Sequence, residues 1–203
     1  MGLNAIANNV QADVSKLSPF VMGALQSAAE RVASGAANAA MTRWFGDNSG
    51  GFRTTLAKDI RRMRSQINVR TINVGFEKLN DRDSTTNASA WPSAGKIGFG
   101  NNMAHVGASS AVDLDMNFKN LPMFLPLAAG AIDSTAAHQS KLNTLIHELS
   151  HLLVGTDDEF INGAEAYGAQ AAEAIAAANV PDAKNNAENW GIFIEAVGHH
   201  NTT

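Results

Sequence analysis

Residues 142–155, L-N-T-L-I-H-E-L-S-H-L-L-V-G, decide the fold of the chain around them. Apolar side chains recur in this stretch every three or four positions, which predicts an amphipathic helix: Leu142, Leu145, Ile146, Leu149, Leu152 and Leu153. Gly155 follows the last of them, where a glycine commonly ends a helix. The sequence therefore predicts one helix with an apolar side packed against a core.

The same helix carries the pattern H-E-x-x-H, as His147, Glu148 and His151. Residues four apart lie on one side of a helix, so the two imidazoles can bind a single Zn²⁺ ion. Glu148 lies one position further round, where its carboxylate can accept a proton from a metal-bound water. Because the chain has no cysteine, any metal site must use His, Asp or Glu.

A catalytic zinc site needs a third protein ligand and one open position. Gly155 is followed by Thr156 and then by three acidic residues, Asp157, Asp158 and Glu159. A turn at the glycine brings these carboxylates back toward the two histidines. The residues alone do not choose among the three.

These residues resemble the aspzincins, the family of deuterolysin-like and lysine-specific metallo-endopeptidases. The signature of that family is H-E-x-x-H followed by G-T-x-D-x-x-Y-G. The resemblance implies that one zinc ion per chain is bound by His147, His151 and Asp158, with Glu148 as the general base. It also implies a zincin-like, helix-rich α+β fold with a small sheet, and a protein or peptide substrate.

The resemblance extends beyond the motif, from about Met41 onward. Residues 43–46, R-W-F-G, are similar to an early W-F-G segment of the family, and residues 186–190, N-A-E-N-W, are similar to its late N-A-D-N-Y segment. The tyrosine implied to stabilise the oxyanion is Tyr167, which arrives six residues late. Glu188 is implied to bind a basic substrate residue, but Gly191 stands where lysine-specific members have a second acid, so we expect Lys and Arg both to be accepted.

Two other hypotheses compete with this one. Glu173 could resemble the third ligand of thermolysin-like enzymes (gluzincins), which would leave Asp158 without a role. Alternatively, the chain is a non-catalytic zinc-binding or interaction domain, in which a fourth ligand closes the site. The candidates for that ligand are His105, His138, His199 and His200.

Charge is unevenly distributed along the chain. Residues 41–82 contain nine Lys and Arg against four Asp and Glu, whereas residues 121–203 contain two basic and ten acidic residues. An acidic site attracts cationic ligands and repels phosphate, which favours basic peptides and excludes nucleic acid. No apolar run is long enough to span a membrane, and no secretory signal is evident. We therefore expect a soluble protein made in the cytoplasm, with export as an effector by a specialised system as a further hypothesis.

The remaining pattern predicts an α+β protein. Its expected helices run from Ser18 to about Phe45, from Phe52 to Ile67, from Ala164 to Ala178 and from Ala187 to Val197. Expected strands are 72–76 and 112–118, with 96–100 as a weaker candidate and 80–94 as a loop. We expect residues 1–40 to form an N-terminal helical segment of unknown role and residues 41–203 to form the metallopeptidase domain, together as one compact unit.

Overall fold

A computed structural model of the chain describes residues 2–76, 88–90, 112–115, 117–134 and 139–202. A four-stranded sheet is formed by β1 (Gly2–Ala5), β2 (Thr71–Phe76), β3 (Ala88–Ala90) and β4 (Val112–Leu114), in the order β1-β2-β4-β3. β1, β2 and β4 are parallel, and β3 pairs antiparallel with β4 at one edge. Together with the helices described below, this confirms the predicted α+β class.

Three helices make up most of the first third of the chain: α1 (Gln11–Ser34), α2 (Asn38–Phe45) and α3 (Gly50–Val69). The prediction of one helix from Ser18 to Phe45 was wrong in two respects: the helix starts earlier, and the segment forms two helices, α1 and α2. The buried stripe extends back through Leu17 and Val14, so the helix begins earlier and Pro19 lies inside it. Gly35, with φ +82°, then breaks the chain before α2. The prediction of α3 is confirmed.

The strand predicted over 112–118 is shorter than expected. β4 ends at Leu114, and a 3₁₀ turn over Asn117–Asn120 follows, in which Phe118 is fully buried. The alternation of apolar residues that predicted a longer strand therefore extends into the 3₁₀ turn, where Phe118 is buried. Of the predicted loop 80–94, three residues form β3, while the rest of it and the candidate strand 96–100 lie outside the described residues.

The second half begins with a small hairpin, β5 (Leu127–Ala128) and β6 (Ala131–Ile132), and continues with α4 (Lys141–Leu153). A second hairpin follows, formed by β7 (Phe160–Ile161) and β8 (Ala164–Glu165). The chain then forms three helices, α5 (Ala169–Ala178), α6 (Val180–Asn185) and α7 (Ala187–Ile194). A π-helical turn over Glu195–His199 extends α7. The helix predicted from Ala164 starts later, because residues 164–165 form β8. The predicted last helix is confirmed.

α4 lies in the interior of the protein. Ser140 caps its N-terminus, since the hydroxyl accepts a hydrogen bond from the Asn143 N–H at 2.9 Å and donates one to the buried carboxylate of Glu195. Every side chain from Leu142 to Ser150 is buried, and α4 packs chiefly against α7. A helix so enclosed holds its side chains in fixed positions.

The N-terminal elements contribute to the same core. Each residue of β1 pairs with β2, and α1 packs against α3 and against the π-helical turn at the C-terminus. Apolar side chains of α1, α3, α4 and α7 belong to one continuous cluster. Among the described residues, no helix is long and apolar enough to cross a membrane.

Candidate active site

Three potential metal ligands meet beside the C-terminal half of α4. The Nε2 atoms of His147 and His151 are 3.1 Å apart, and Asp158 Oδ1 lies 3.1 Å from the first and 3.4 Å from the second. Around a tetrahedral zinc with bonds of about 2.0–2.1 Å, neighbouring ligand atoms are separated by about 3.3 Å. The three atoms therefore have the spacing that a zinc ion requires.

Both imidazoles are oriented by hydrogen bonds from their other nitrogen. His147 Nδ1 lies 3.0 Å from Glu188 Oε2, and His151 Nδ1 lies 2.7 Å from the carbonyl oxygen of Thr156. A carbonyl or an ionised carboxylate can only accept, so Nδ1 must carry the hydrogen in each ring. That leaves both Nε2 atoms to face Asp158, in the arrangement found in protein zinc sites.

The charges in this cluster favour the binding of a cation. Burial alone would lower the pKa of His147, but its contacts with Asp158 and Glu188 outweigh burial and raise that pKa to about 10. Burial would likewise raise the pKa of Asp158, yet the two histidines hold it well below its usual range. Asp158 Oδ1 is buried and makes no well-formed hydrogen bond within the described part of the chain. A cation satisfies all three groups at once, so these residues fit a zinc ion.

The turn after α4 explains how Asp158 reaches the histidines. Gly155 adopts φ +88°, which reverses the chain, and its N–H donates to the Ser150 carbonyl at 3.0 Å. The Ser150 and Thr156 hydroxyl groups are 2.7 Å apart, which fixes Thr156 against the helix. Asp157 points elsewhere: its carboxylate accepts a hydrogen bond from Asn185 Nδ2 at 3.1 Å. Of the three acids considered from the sequence, the structure brings Asp158 to the histidine pair.

Glu148 lies beside these ligands without joining them. Its Oε1 is 3.9 Å from His147 Nε2, and its side chain is buried. Burial raises the pKa of Glu148, and the nearby His147 and His151 partly oppose that rise. A carboxylate of raised pKa close to a metal position is suited to accept and return a proton.

The six residues that delay Tyr167 form the β7–β8 hairpin. Asn162 and Gly163 both have positive φ, as the central residues of a type I′ turn require. The hairpin closes where the Ala166 N–H donates to the Glu159 carbonyl at 2.8 Å. Without residues 160–165 the sequence would be D-E-A-Y-G, which restores the family spacing. The Asn-Gly pair was the sequence signal for this hairpin.

The closed hairpin returns Tyr167 to the three candidate ligands. Its ring centroid lies 5.8 Å from that of His147, while 44% of the residue remains exposed. Partial burial, followed by the charges of Asp158 and Glu165, raises the pKa of the Tyr167 phenol. The hydroxyl therefore keeps its proton and can donate a hydrogen bond at any ordinary pH.

Glu188 does not lie where a substrate-binding acid was expected. It is fully buried, and its two oxygens accept hydrogen bonds from His147 Nδ1, from the Gly168 N–H and from Gln139 Nε2. A carboxylate in this position is inaccessible to a substrate ammonium group. The structure therefore does not support direct recognition of a basic residue by Glu188.

The alternative ligands lie apart from the histidine pair. Glu173 forms an ion pair with Arg43, whose guanidinium also donates to the Ile132 carbonyl at 2.9 Å. His199 stacks on Phe124, and His200 lies 3.3 Å from Glu195. His105 and His138 lie outside the described residues. The gluzincin hypothesis is thus wrong in its choice of Glu173, and neither His199 nor His200 is placed to close a four-ligand site.

Two buried asparagines that the sequence did not mark as functional join the site to the scaffold. Asn186 Oδ1 accepts from the Glu159 N–H at 3.2 Å, and its Nδ2 donates to Asn189 Oδ1 at 2.6 Å. Asn189 Nδ2 in turn donates to the Trp44 carbonyl at 2.5 Å and to the Ala172 carbonyl at 2.8 Å. The W-F-G segment, the turn after α4 and the N-A-E-N-W segment therefore meet in one hydrogen-bonded network.

Comparison with known families agrees with this geometry. The family model of the aspzincins, described as lysine-specific metallo-endopeptidase, matches residues 30–195. The chain belongs to the aspzincin family. It is consequently a zinc-dependent metalloendopeptidase, which hydrolyses peptide bonds in proteins or peptides.

Solved structures show the same fold. A zinc peptidase from Grifola frondosa is 22% identical to this aspzincin, with a TM-score of 0.56, and the match covers 91% of this chain and 95% of that one. Comparison with curated proteins gives no significant match. The predicted family and the predicted zinc dependence are confirmed.

Exchange of single acids tests the ligand set. Loss of a hydrogen bond to a metal ligand lowers metal affinity by roughly 10–100-fold. We predict a larger loss of zinc affinity in Asp158→Ala, because this substitution removes a ligand itself. Asp157→Ala is the matched control and should retain zinc affinity, because its carboxylate contacts Asn185. Competition with a chelator measures both constants. Unchanged affinity in Asp158→Ala, with a loss in Asp157→Ala, would show that the wrong acid has been assigned.

Proposed function

We propose that this aspzincin cleaves peptide bonds with His147, His151 and Asp158 as zinc ligands, Glu148 as general base and Tyr167 as oxyanion donor. The observation that carries the proposal is the triangle of three donor atoms, with Glu148 and Tyr167 beside it. We further propose that residues 1–40 belong to the same folding unit, because they supply β1 and α1 to the shared sheet and core.

Glu148 supplies the proton transfer. A zinc ion held by His147, His151 and Asp158 would polarise the scissile carbonyl and make a water molecule more acidic. The carboxylate of Glu148 accepts the proton of the attacking water and passes it to the leaving nitrogen, which separates as an amine. Burial raises the pKa of the Glu148 carboxyl toward neutral pH, so the group can both accept a proton from water and release it to the leaving nitrogen.

Tyr167 supplies a hydrogen bond to the developing oxyanion. The half-exposed phenol lies beside the His147 ring and remains protonated, so it can donate to an oxygen that gains charge in the transition state. The β7–β8 hairpin makes this possible despite the long sequence separation between Asp158 and Tyr167.

We also propose a preference for basic residues next to the cut, with a different origin from the one expected. Glu188 is buried, but Glu165 is exposed at the end of β8, close enough to raise the pKa of Tyr167. Asp157 and Glu159, the neighbours of Asp158 in the chain, add two further carboxylates, each of which accepts a hydrogen bond from Asn185 Nδ2. A solvated acidic rim attracts Lys and Arg through charge without distinguishing between them.

Replacement of the general base should separate catalysis from metal binding. We predict that Glu148→Gln lowers turnover by at least about 10²–10⁴-fold, because it removes the proton acceptor and no ligand. Zinc content should stay at one ion per chain, measured by elemental analysis of the purified variant. Wild-type turnover by Glu148→Gln would exclude Glu148 as the base.

Removal of the phenolic hydroxyl tests the oxyanion role. We predict that Tyr167→Phe lowers kcat by roughly 10²–10³-fold, equivalent to about 3–4 kcal/mol of transition-state stabilisation. The free energy of unfolding and the zinc affinity should change little, because the ring remains. Steady-state kinetics together with denaturant titration would reveal the difference, and an unimpaired kcat would contradict the assignment.

The acidic rim should produce a small, measurable preference. An exposed charge pair contributes about 0.2–1 kcal/mol, so Glu165→Gln should reduce the ratio of kcat/KM for Lys and Arg substrates over neutral ones by roughly 1.4- to five-fold at low salt. Glu30→Gln removes the same charge from α1 and should leave the ratio unchanged. Equal ratios in wild type, Glu165→Gln and Glu30→Gln would exclude this origin of the preference.

A further inference from the structure

We infer that Glu188 is a positioning residue, which couples the zinc ligand His147 to the backbone beside Tyr167, and that it does not contact the substrate. This inference rests on the proposed function, because it concerns the same metal and the same tyrosine.

The contacts of Glu188 involve both of its oxygens. Oε2 is 3.0 Å from His147 Nδ1 and 3.2 Å from Gln139 Nε2, while Oε1 accepts from the Gly168 N–H at 3.0 Å. The residue is 0% exposed. Burying a carboxylate is unfavourable unless donors replace the lost water, and these three donors do so. A substrate cation would have to displace them.

The two oxygens act on two different parts of the site. The Oε2 contact holds the His147 ring with Nδ1 as donor, which keeps Nε2 directed at the metal position. The Oε1 contact holds the N–H of Gly168, which directly follows Tyr167 and is the N-cap of α5, with φ +83°. One rigid carboxylate therefore fixes the ligand and the base of the tyrosine relative to each other.

Close packing of α7 on α4 allows this contact. A Cβ atom at Gly191 would lie 2.7 Å from Asn143 Nδ2 and 2.8 Å from the Asn143 carbonyl oxygen. Asn143 lies on α4, one helical turn before His147. The absence of a side chain at Gly191 thus lets α7 approach α4 closely enough for Glu188 to reach the imidazole.

Replacing the carboxylate by an amide tests the inference. In Glu188→Gln an NH₂ donor replaces one of the two oxygens, so either His147 Nδ1 or the Gly168 N–H loses its acceptor. We expect zinc affinity to fall by roughly 10–100-fold, measured by chelator competition. At saturating zinc, kcat should fall by a similar factor for Lys, Arg and neutral substrates alike, with KM little changed. Glu188→Asp, which retains the carboxylate, should recover part of both losses.

Glu195→Gln is the matched control, because Glu195 is also fully buried and also accepts from a backbone N–H and a side chain. It should lose stability to denaturant but keep zinc affinity within about twofold of wild type. A Glu188→Gln enzyme with wild-type zinc affinity and a selective loss of Lys and Arg cleavage would overturn the inference in favour of substrate recognition. Equal losses of zinc affinity in the two Gln variants would overturn it in favour of general destabilisation. Zinc affinity is measurable without turnover, so an inactive wild type would refute the proposed function separately.

Discussion

The structure of this site follows from one electrostatic constraint: three acceptor atoms are held about 3 Å apart with only a cation able to satisfy them together. The Nε2 atoms of His147 and His151 cannot turn away, because their Nδ1 hydrogens are taken by Glu188 and by the Thr156 carbonyl. Asp158 is held opposite them by the turn at Gly155. Against the effect of burial, Asp158 and Glu188 raise the pKa of His147 to about 10, and a divalent ion that displaced the proton would satisfy all three acceptor atoms at once.

The scaffold around the triangle is built mainly from polar contacts in buried places. Asn186 and Asn189 connect the turn after α4 to the end of α2 and to α5, and Glu195 connects Ser140, at the start of α4, to the last helical turn. Such networks stabilise a single arrangement only when each member has a partner. The β7–β8 hairpin could be inserted without disturbing this arrangement, because Glu159 and Ala166 lie side by side at its base.

Local sequence patterns predicted α3, α4 and the last helix, since each has an apolar stripe that the core requires. The H-E-x-x-H spacing and the resemblance to the aspzincins led to His147, His151, Asp158 and Tyr167, which the structure brings together. Two errors had physical causes that the patterns do not contain. The start of α1 depended on burial against α3 and the C-terminal turn, which outweighed the preference of Pro19 for a helix start. The environment of Glu188 depended on how closely α7 approaches α4, and Gly191 in the sequence alone does not reveal which helix it faces.

The most direct test of this account is a crystal structure of the zinc-loaded protein with an anomalous difference map recorded at the zinc absorption edge. The account predicts one strong peak about 2 Å from the Nε2 atoms of His147 and His151 and from the Asp158 carboxylate, with one coordination position open to solvent. A peak bonded to Glu173, or one closed by a fourth protein ligand, would contradict it.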